Sequence, residues 1–134
     1  MYLLDTNICI YIIKKKPEAV LKHLKIKYPK GLFISSITLA ELEQGVENSA
    51  YPEKNSVALM SLLSIIDIIP FDSNAAKEYG KIKTDLKKRG CIIGELDMLI
   101  AACAKAENFI LVTNNTKEFN RIKDLKIENW ALNN

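Results

Sequence analysis

Tyr2-Leu3-Leu4-Asp5-Thr6-Asn7-Ile8-Cys9-Ile10-Tyr11-Ile12-Ile13 is the stretch on which the fold turns. A short apolar run that halts at Asp-Thr-Asn and then resumes at helical spacing reads as strand, sharp turn, helix. In parallel α/β sheets ligands bind at that junction, outside the C-terminal ends of the strands. Asp5 is therefore expected at the tip of a central strand. Locally its carboxylate serves as well as an N-cap, accepting the backbone N–H of Asn7 or Ile8. Further acids at similar junctions downstream are what bring the chemical reading forward.

The 134 residues, 49% hydrophobic, suit one compact domain over residues 1–134 with one core. The chain starts almost at its first strand, which leaves no room for a leader, and no apolar stretch is long enough to cross a bilayer. A cytoplasmic protein is expected. Cys9, Cys91 and Cys103 are odd in number and far apart, so they fit neither a metal knuckle nor a disulfide framework and read as small core fillers. The net charge of +3 sums 19 basic and 16 acidic residues. If some acids gather in one site, the remaining surface is more basic than the sum and suits a polyanion.

Working outward, strands and helices alternate as β, α, α, β, α, α, β, α, α, β, α, β. That pattern predicts an α/β fold, with a mainly parallel central sheet of about five strands and helices on both faces. The helices expected are one running into Lys14-Lys15-Lys16, then residues 17–27, a pattern after Ser36, 52–66, 73–89, and a strongly amphipathic one around residue 97. The strands expected after the first are 32–35, 67–71, 109–113 and 125–130. The single histidine, His23, has no companion ligand and reads as a surface residue.

Glu41 lies early in the third helix, where Thr38-Leu39-Ala40-Glu41 is also a legitimate capping box. Gly45, one turn on, leaves space beside it. In the later amphipathic helix Leu96, Leu99, Ile100 and Cys103 mark the predicted core face. Asp97, Ala101 and Ala104 form an adjacent row of small residues. Asp97 there is either an N-cap or an inward acid that needs a partner. Asp5, Glu41, Asp97 and the Asn115–Glu118 region thus all fall at strand ends or helix starts, which share one edge of a parallel sheet. Clustered carboxylates repel unless a cation lies between them or some are protonated. All-oxygen ligands point to Mg²⁺ or Mn²⁺ and so to phosphoryl chemistry.

Neither a P-loop nor a dinucleotide fingerprint is present. A haloacid-dehalogenase-like phosphatase would carry a second Asp where Asn7 stands, and the acidic pair of a response-regulator receiver is absent.

Four segments together carry a family resemblance. They are Leu3-Leu4-Asp5-Thr6-Asn7; Ser35-Ser36-Ile37-Thr38-Leu39-Ala40-Glu41-Leu42 with Gly45; Asp97-Met98-Leu99-Ile100-Ala101-Ala102; and Val112-Thr113-Asn114-Asn115 with Glu118-Phe119. In this order and spacing the chain resembles PIN-domain ribonucleases, and more closely the VapC-type toxins of type II toxin-antitoxin pairs. The resemblance implies a Mg²⁺-dependent endoribonuclease, with Mn²⁺ as an alternative ion, in which ion-activated water cleaves RNA. Asp5 and Asp97 would hold the ion, and Glu41 a second ion or the water. It also implies a VapB-like antitoxin that blocks the site, and a homodimer. Many relatives carry Asp where this chain has Asn115, so Asn115 and Glu118 are both candidates for the fourth position. Lys14, Lys15, Lys16, Lys87, Lys88 and Arg89 are candidates for holding RNA, although such runs usually mark solvated helix ends. A noncatalytic PIN-like module that binds RNA or protein is the alternative. It is opposed by the retention of all three principal acids.

Overall fold

The computed structural model describes residues 1–132. Five strands, β1 (Tyr2–Leu4), β2 (Leu32–Ser35), β3 (Asp67–Ile69), β4 (Ile110–Val112) and β5 (Ile127–Glu128), pair side by side in the order β3-β2-β1-β4-β5. All four pairings are parallel. The expected α/β architecture is the one observed, with β1 at the centre.

The helices are α1 (Thr6–Lys14), α2 (Glu18–Lys27), α3 (Ser36–Glu47), α4 (Pro52–Leu63), α5 (Ser73–Lys88), α6 (Glu95–Glu107) and the short α7 (Thr116–Phe119). Side chains alternate across a strand, and the core divides accordingly. Tyr2 and Leu4 of β1, Leu32 and Ile34 of β2, and Val112 of β4 pack with α1 to α4 on one face. Leu3 and Leu111 point the other way, into a layer built by α5, α6, Phe119 and Ile122. A sheet buried on both faces is why β1 is uninterruptedly apolar. No helix among the described residues is long and apolar enough to cross a membrane.

Several expectations shift when the elements pack. β3 ends at Ile69, which puts Pro70 just past an edge strand, where a missing N–H costs nothing. The residue spacing in α5 predicts an inner side of Ala76, Tyr79, Gly80, Ile82, Lys83 and Leu86; the buried side is Ala75, Ile82 and Leu86, and Ala76 and Gly80 face outward. His23 is half-buried rather than on the open surface, its ring stacked on fully buried Trp130 with centroids 5.9 Å apart. Cys9 and Cys103 fill the core as expected, while Cys91 is only half-covered.

The strand order reverses at β1. The chain steps from β1 through β2 to β3 on one side, then returns to place β4 on the other. That reversal opens a crevice at the C-terminal ends of β1 and β4. Asp5 and Thr113 follow those two strands directly.

Candidate active site

Asp5 is 5% exposed and its backbone N–H extends the β1–β4 ladder by donating to the Val112 carbonyl at 3.0 Å. Its Oδ1 accepts from the Ile8 amide at 2.9 Å, which makes it the N-cap of α1. It is also part of an acidic group. Burial pushes its carboxyl up to about 6, opposed by hydrogen bonds from the Thr113 hydroxyl and the Ile8 amide and reinforced by the charges of Asp97 and Glu41. Thr113 is fully buried, and its Oγ1 accepts from the Asn115 amide at 2.9 Å. That leaves the hydroxyl proton for Asp5.

Glu41 comes from the second turn of α3, not from a cap. The helix starts three residues earlier than the Thr38 capping box requires, because the buried Ser35 hydroxyl accepts from the Thr38 amide at 3.0 Å. Freed from capping, Glu41 reaches across to α1, where its Oε1 accepts from the Thr6 hydroxyl at 2.8 Å. Thr38 Oγ1 lies 3.3 Å from the same hydroxyl. Gly45 has open space where a Cβ would stand. It lines, together with Glu41, a cleft of about 370 Å³ between α1, α3 and α4.

Asp97 is the third residue of α6, whose N-cap is Gly94, so it is not a cap either. Among the described contacts no hydrogen bond reaches its carboxylate. Desolvation raises its pKa, with further repulsion from Glu118 and Glu41. Ala101 and Ala104, one and two turns on, are fully buried, as the small-residue row predicted. The core face of α6 nevertheless differs from the expected one. It centres on Met98, Ile100, Ala101, Ala102 and Cys103, and Leu96 stands 47% exposed.

Asn115 and Glu118 pair with each other, the amide Nδ2 donating to Glu118 Oε2 at 3.1 Å across the first turn of α7. Glu118 is thus turned back toward the strand end, and its charge is felt at Asp97. Four acids, Asp5, Glu41, Asp97 and Glu118, act on one another around the crevice.

Among the described residues no three His, Cys, Asp or Glu side chains already stand close enough to enclose an ion. Mg²⁺ does not require such a cage, since it keeps several waters and takes one or two carboxylates plus phosphate oxygens. The donor set is all oxygen, and burial, with repulsion from neighbouring acids, disfavours the charges of Asp5 and Asp97 in the absence of a cation. It therefore fits a hard divalent ion.

The basic runs behave differently from each other. Lys14, Lys15 and Lys16 are exposed where α1 ends, with Lys15 in the left-handed region at φ 58°. Lys87 and Lys88 are exposed too, but the Arg89 guanidinium is engaged by Asp85 at 2.6 and 3.0 Å and by the Arg121 carbonyl. Thr6 and Thr113 carry no functional signal of their own in the sequence, and Thr38, which reads there as a helix cap, instead lies beside the Thr6–Glu41 bond. The available signal is that a threonine lies within three residues of Asp5, Glu41 and Asn115, though none lies beside Asp97.

A five-stranded parallel sheet with acids gathered at the ends of its strands is the frame of a PIN domain, and the chain belongs to the PIN domain family, whose model matches residues 2–125. PIN-domain nucleases are generally metal-dependent. Within the family the chain is similar to VapC proteins. It is 47% identical to Ribonuclease VapC2 of Rickettsia felis, over 97% of this chain and 98% of that one. It is 41% identical to the tRNA(fMet)-specific endonuclease VapC of Shigella flexneri, over the same shares. The crystal structure of VapBC2 from Rickettsia felis, bound to a DNA fragment from its promoter, superposes with a TM-score of 0.92 at 46% identity, covering 96% of this chain and 98% of that one.

Proposed function

We propose that the chain, as a single unit over residues 1–134, is a Mg²⁺-dependent endoribonuclease that acts in the cytoplasm as the toxin of a VapBC-like pair. The observation that carries the reading is the gathering of Asp5, Glu41 and Asp97 around the strand reversal, with Asp5 buried, Asp97 half-buried and Glu41 held there by Thr6. Near-full-length similarity to named VapC ribonucleases supports it.

When bound, a divalent ion supplies charge stabilisation for the phosphate and lowers the pKa of water. Asp5 and Asp97 are the residues to hold it, with Glu41 at a second ion or orienting the water, and Mn²⁺ able to replace Mg²⁺. The chain holds these carboxylates ready. Asp5 is fixed by Ile8 and Thr113, and Glu41 by Thr6. Glu118 adds charge at the rim, while Asn115 orients it rather than supplying a charge of its own. Lys14 to Lys16 are the favoured RNA contacts. Of the second run Lys87 and Lys88 are better placed than Arg89, which is already paired.

A VapB-like antitoxin is the proposed partner. The cleft beside Glu41, lined by Ile10, Ile13, Leu42, Val46 and Leu59, suits an inhibitor segment with apolar and basic side chains. Homodimerisation would cover Val57 and Met60, which α4 leaves exposed.

The test is incubation of purified protein, freed of any antitoxin, with total RNA in Mg²⁺ or EDTA, followed by sequencing of new ends. Discrete cleavage in Mg²⁺ and none in EDTA is expected. Intact RNA in the presence of folded protein and Mg²⁺ would contradict the proposal.

A further inference from the structure

We infer that a second cleft, beside Tyr11, is a nucleobase subsite that gives the ribonuclease its sequence preference. The inference rests on the ribonuclease reading above. The cleft, of about 380 Å³, is lined by Ile10, Tyr11, Lys14, Lys16 and Pro17. An aromatic ring, two aliphatic walls and two exposed ammonium groups match what a single-stranded nucleotide offers, which is a π-face to stack and a phosphate to neutralise. Ile10 and Lys14 also line the cleft that holds Glu41, so the two hollows are neighbours that share one wall of α1. Tyr11 lies six residues beyond Asp5, roughly 9 Å along the helix at 1.5 Å per residue. The Tyr11 hydroxyl meets Asn114, which adjoins Thr113 at the end of β4, so the ring lies beside the strand end that carries the acids.

A polar reader stands at the same ring. The Tyr11 hydroxyl accepts from Asn114 Nδ2 at 3.3 Å, and Asn114 Oδ1 accepts from Asn129 Nδ2 at 3.1 Å. Asn129 Oδ1 accepts from the Ala131 amide at 2.9 Å. That last donor is a backbone N–H, so it fixes which way Asn129 faces, and Asn129 in turn fixes Asn114. The Asn114 side chain is exposed and keeps one N–H and one carbonyl lone pair for a base edge. It follows Thr113, the residue that bonds Asp5, so the reader is tied through one peptide bond to the acidic crevice.

The experiment uses the full chain with a short single-stranded RNA that contains a cleaved site, and with total RNA followed by end sequencing. Tyr11→Leu is expected to raise KM about tenfold with kcat little changed, and Tyr11→Phe, which keeps the ring, to restore most of the affinity. Asn114→Ala is expected to relax base preference at one position flanking the cut. Lys16→Gln should weaken all sequences evenly and shallow the salt dependence. The Mg²⁺-induced rise in melting temperature should match wild type in Tyr11→Leu, which separates loss of the subsite from damage to the acids. Unchanged KM in Tyr11→Leu, or an unchanged end profile in Asn114→Ala, overturns the subsite. If these variants leave RNA cleavage untouched but loosen the complex with the inhibitor protein, the cleft holds protein and the inference falls. Failure of wild type itself to cut RNA would instead remove the ribonuclease reading.

Discussion

Asp5 and Asp97 reach one crevice by opposite routes. Asp5 is sealed into the scaffold at the tip of β1, capping α1 and held by Thr113. Asp97, in the first turn of α6, is half-buried with no described hydrogen bond to its carboxylate. Both are pushed toward their neutral forms by burial, but only Asp5 has hydrogen bonds that offset part of that cost. The contrast separates positioning from charge compensation. The backbone fixes where Asp5 stands, whereas the Asp97 carboxylate has little to oppose its repulsion except a cation.

The sharpest way to break this comparison is to neutralise each acid. Asp5→Asn and Asp97→Asn should each lower RNA cleavage by more than about a hundredfold, since loss of the outer partners of metal ligands alone costs 10–100-fold. Rates from end-labelled RNA check this, and a variant retaining a tenth of wild-type activity would remove that residue from the site.

Stability separates the two further. The Asp5 carboxyl is raised from 3.8 to about 6 on folding. The unfolded chain therefore releases this proton first, and metal-free stability should fall as pH climbs from about 4 to about 6. By linkage the loss is about 3 kcal/mol, of the order of two pKa units at 1.36 kcal/mol each. Asp5→Asn should remove that slope and still cap α1, because Asn is as good an N-cap as Asp. Urea denaturation at pH 4 and pH 7 in EDTA measures it.

Thr113→Val should cost about 1–3 kcal/mol by stranding the Asn115 amide, and should raise the Asp5 pKa still further. The same denaturation curves reveal it, and an unchanged stability would show that the Thr113 hydroxyl does not hold the Asn115 amide. The smallest effect is expected at the rim. Glu118→Gln should raise the Mg²⁺ concentration for half-maximal cleavage a few-fold, while Asn115→Asp lowers it or does little. A Glu118→Gln titration that matches wild type would leave Asp5, Glu41 and Asp97 as the whole acidic set.

The contrast also explains what could be read in the chain. Asp5 was legible because its junction is local. An apolar strand, an acid and a helical repeat lie within a dozen residues, and the order of the five strands and seven α-helices follows from similar patterns. Glu41 was ambiguous because two capping frames compete in Ser35–Glu41. Tertiary packing selects the earlier one, where the Ser36 hydroxyl accepts from the distant Phe71 amide at 3.1 Å. The Thr6–Glu41 bond joins residues 35 apart, so no local pattern announces it. Helical spacing places Leu96 on the core face, yet α6 buries Met98, Ile100 and its alanines instead. Small residues allow close approach there, and periodicity alone does not distinguish that side from the leucine side.

The most direct test of the account is the melting temperature of wild type and Asp5→Asn at pH 7, each in EDTA and in Mg²⁺. Wild type should be the less stable of the two in EDTA and should gain markedly from Mg²⁺, whereas Asp5→Asn should start higher and gain little. If Asp5→Asn instead melts well below wild type in EDTA and Mg²⁺ shifts both equally, Asp5 is a helix cap alone and the clustered-acid site is wrong.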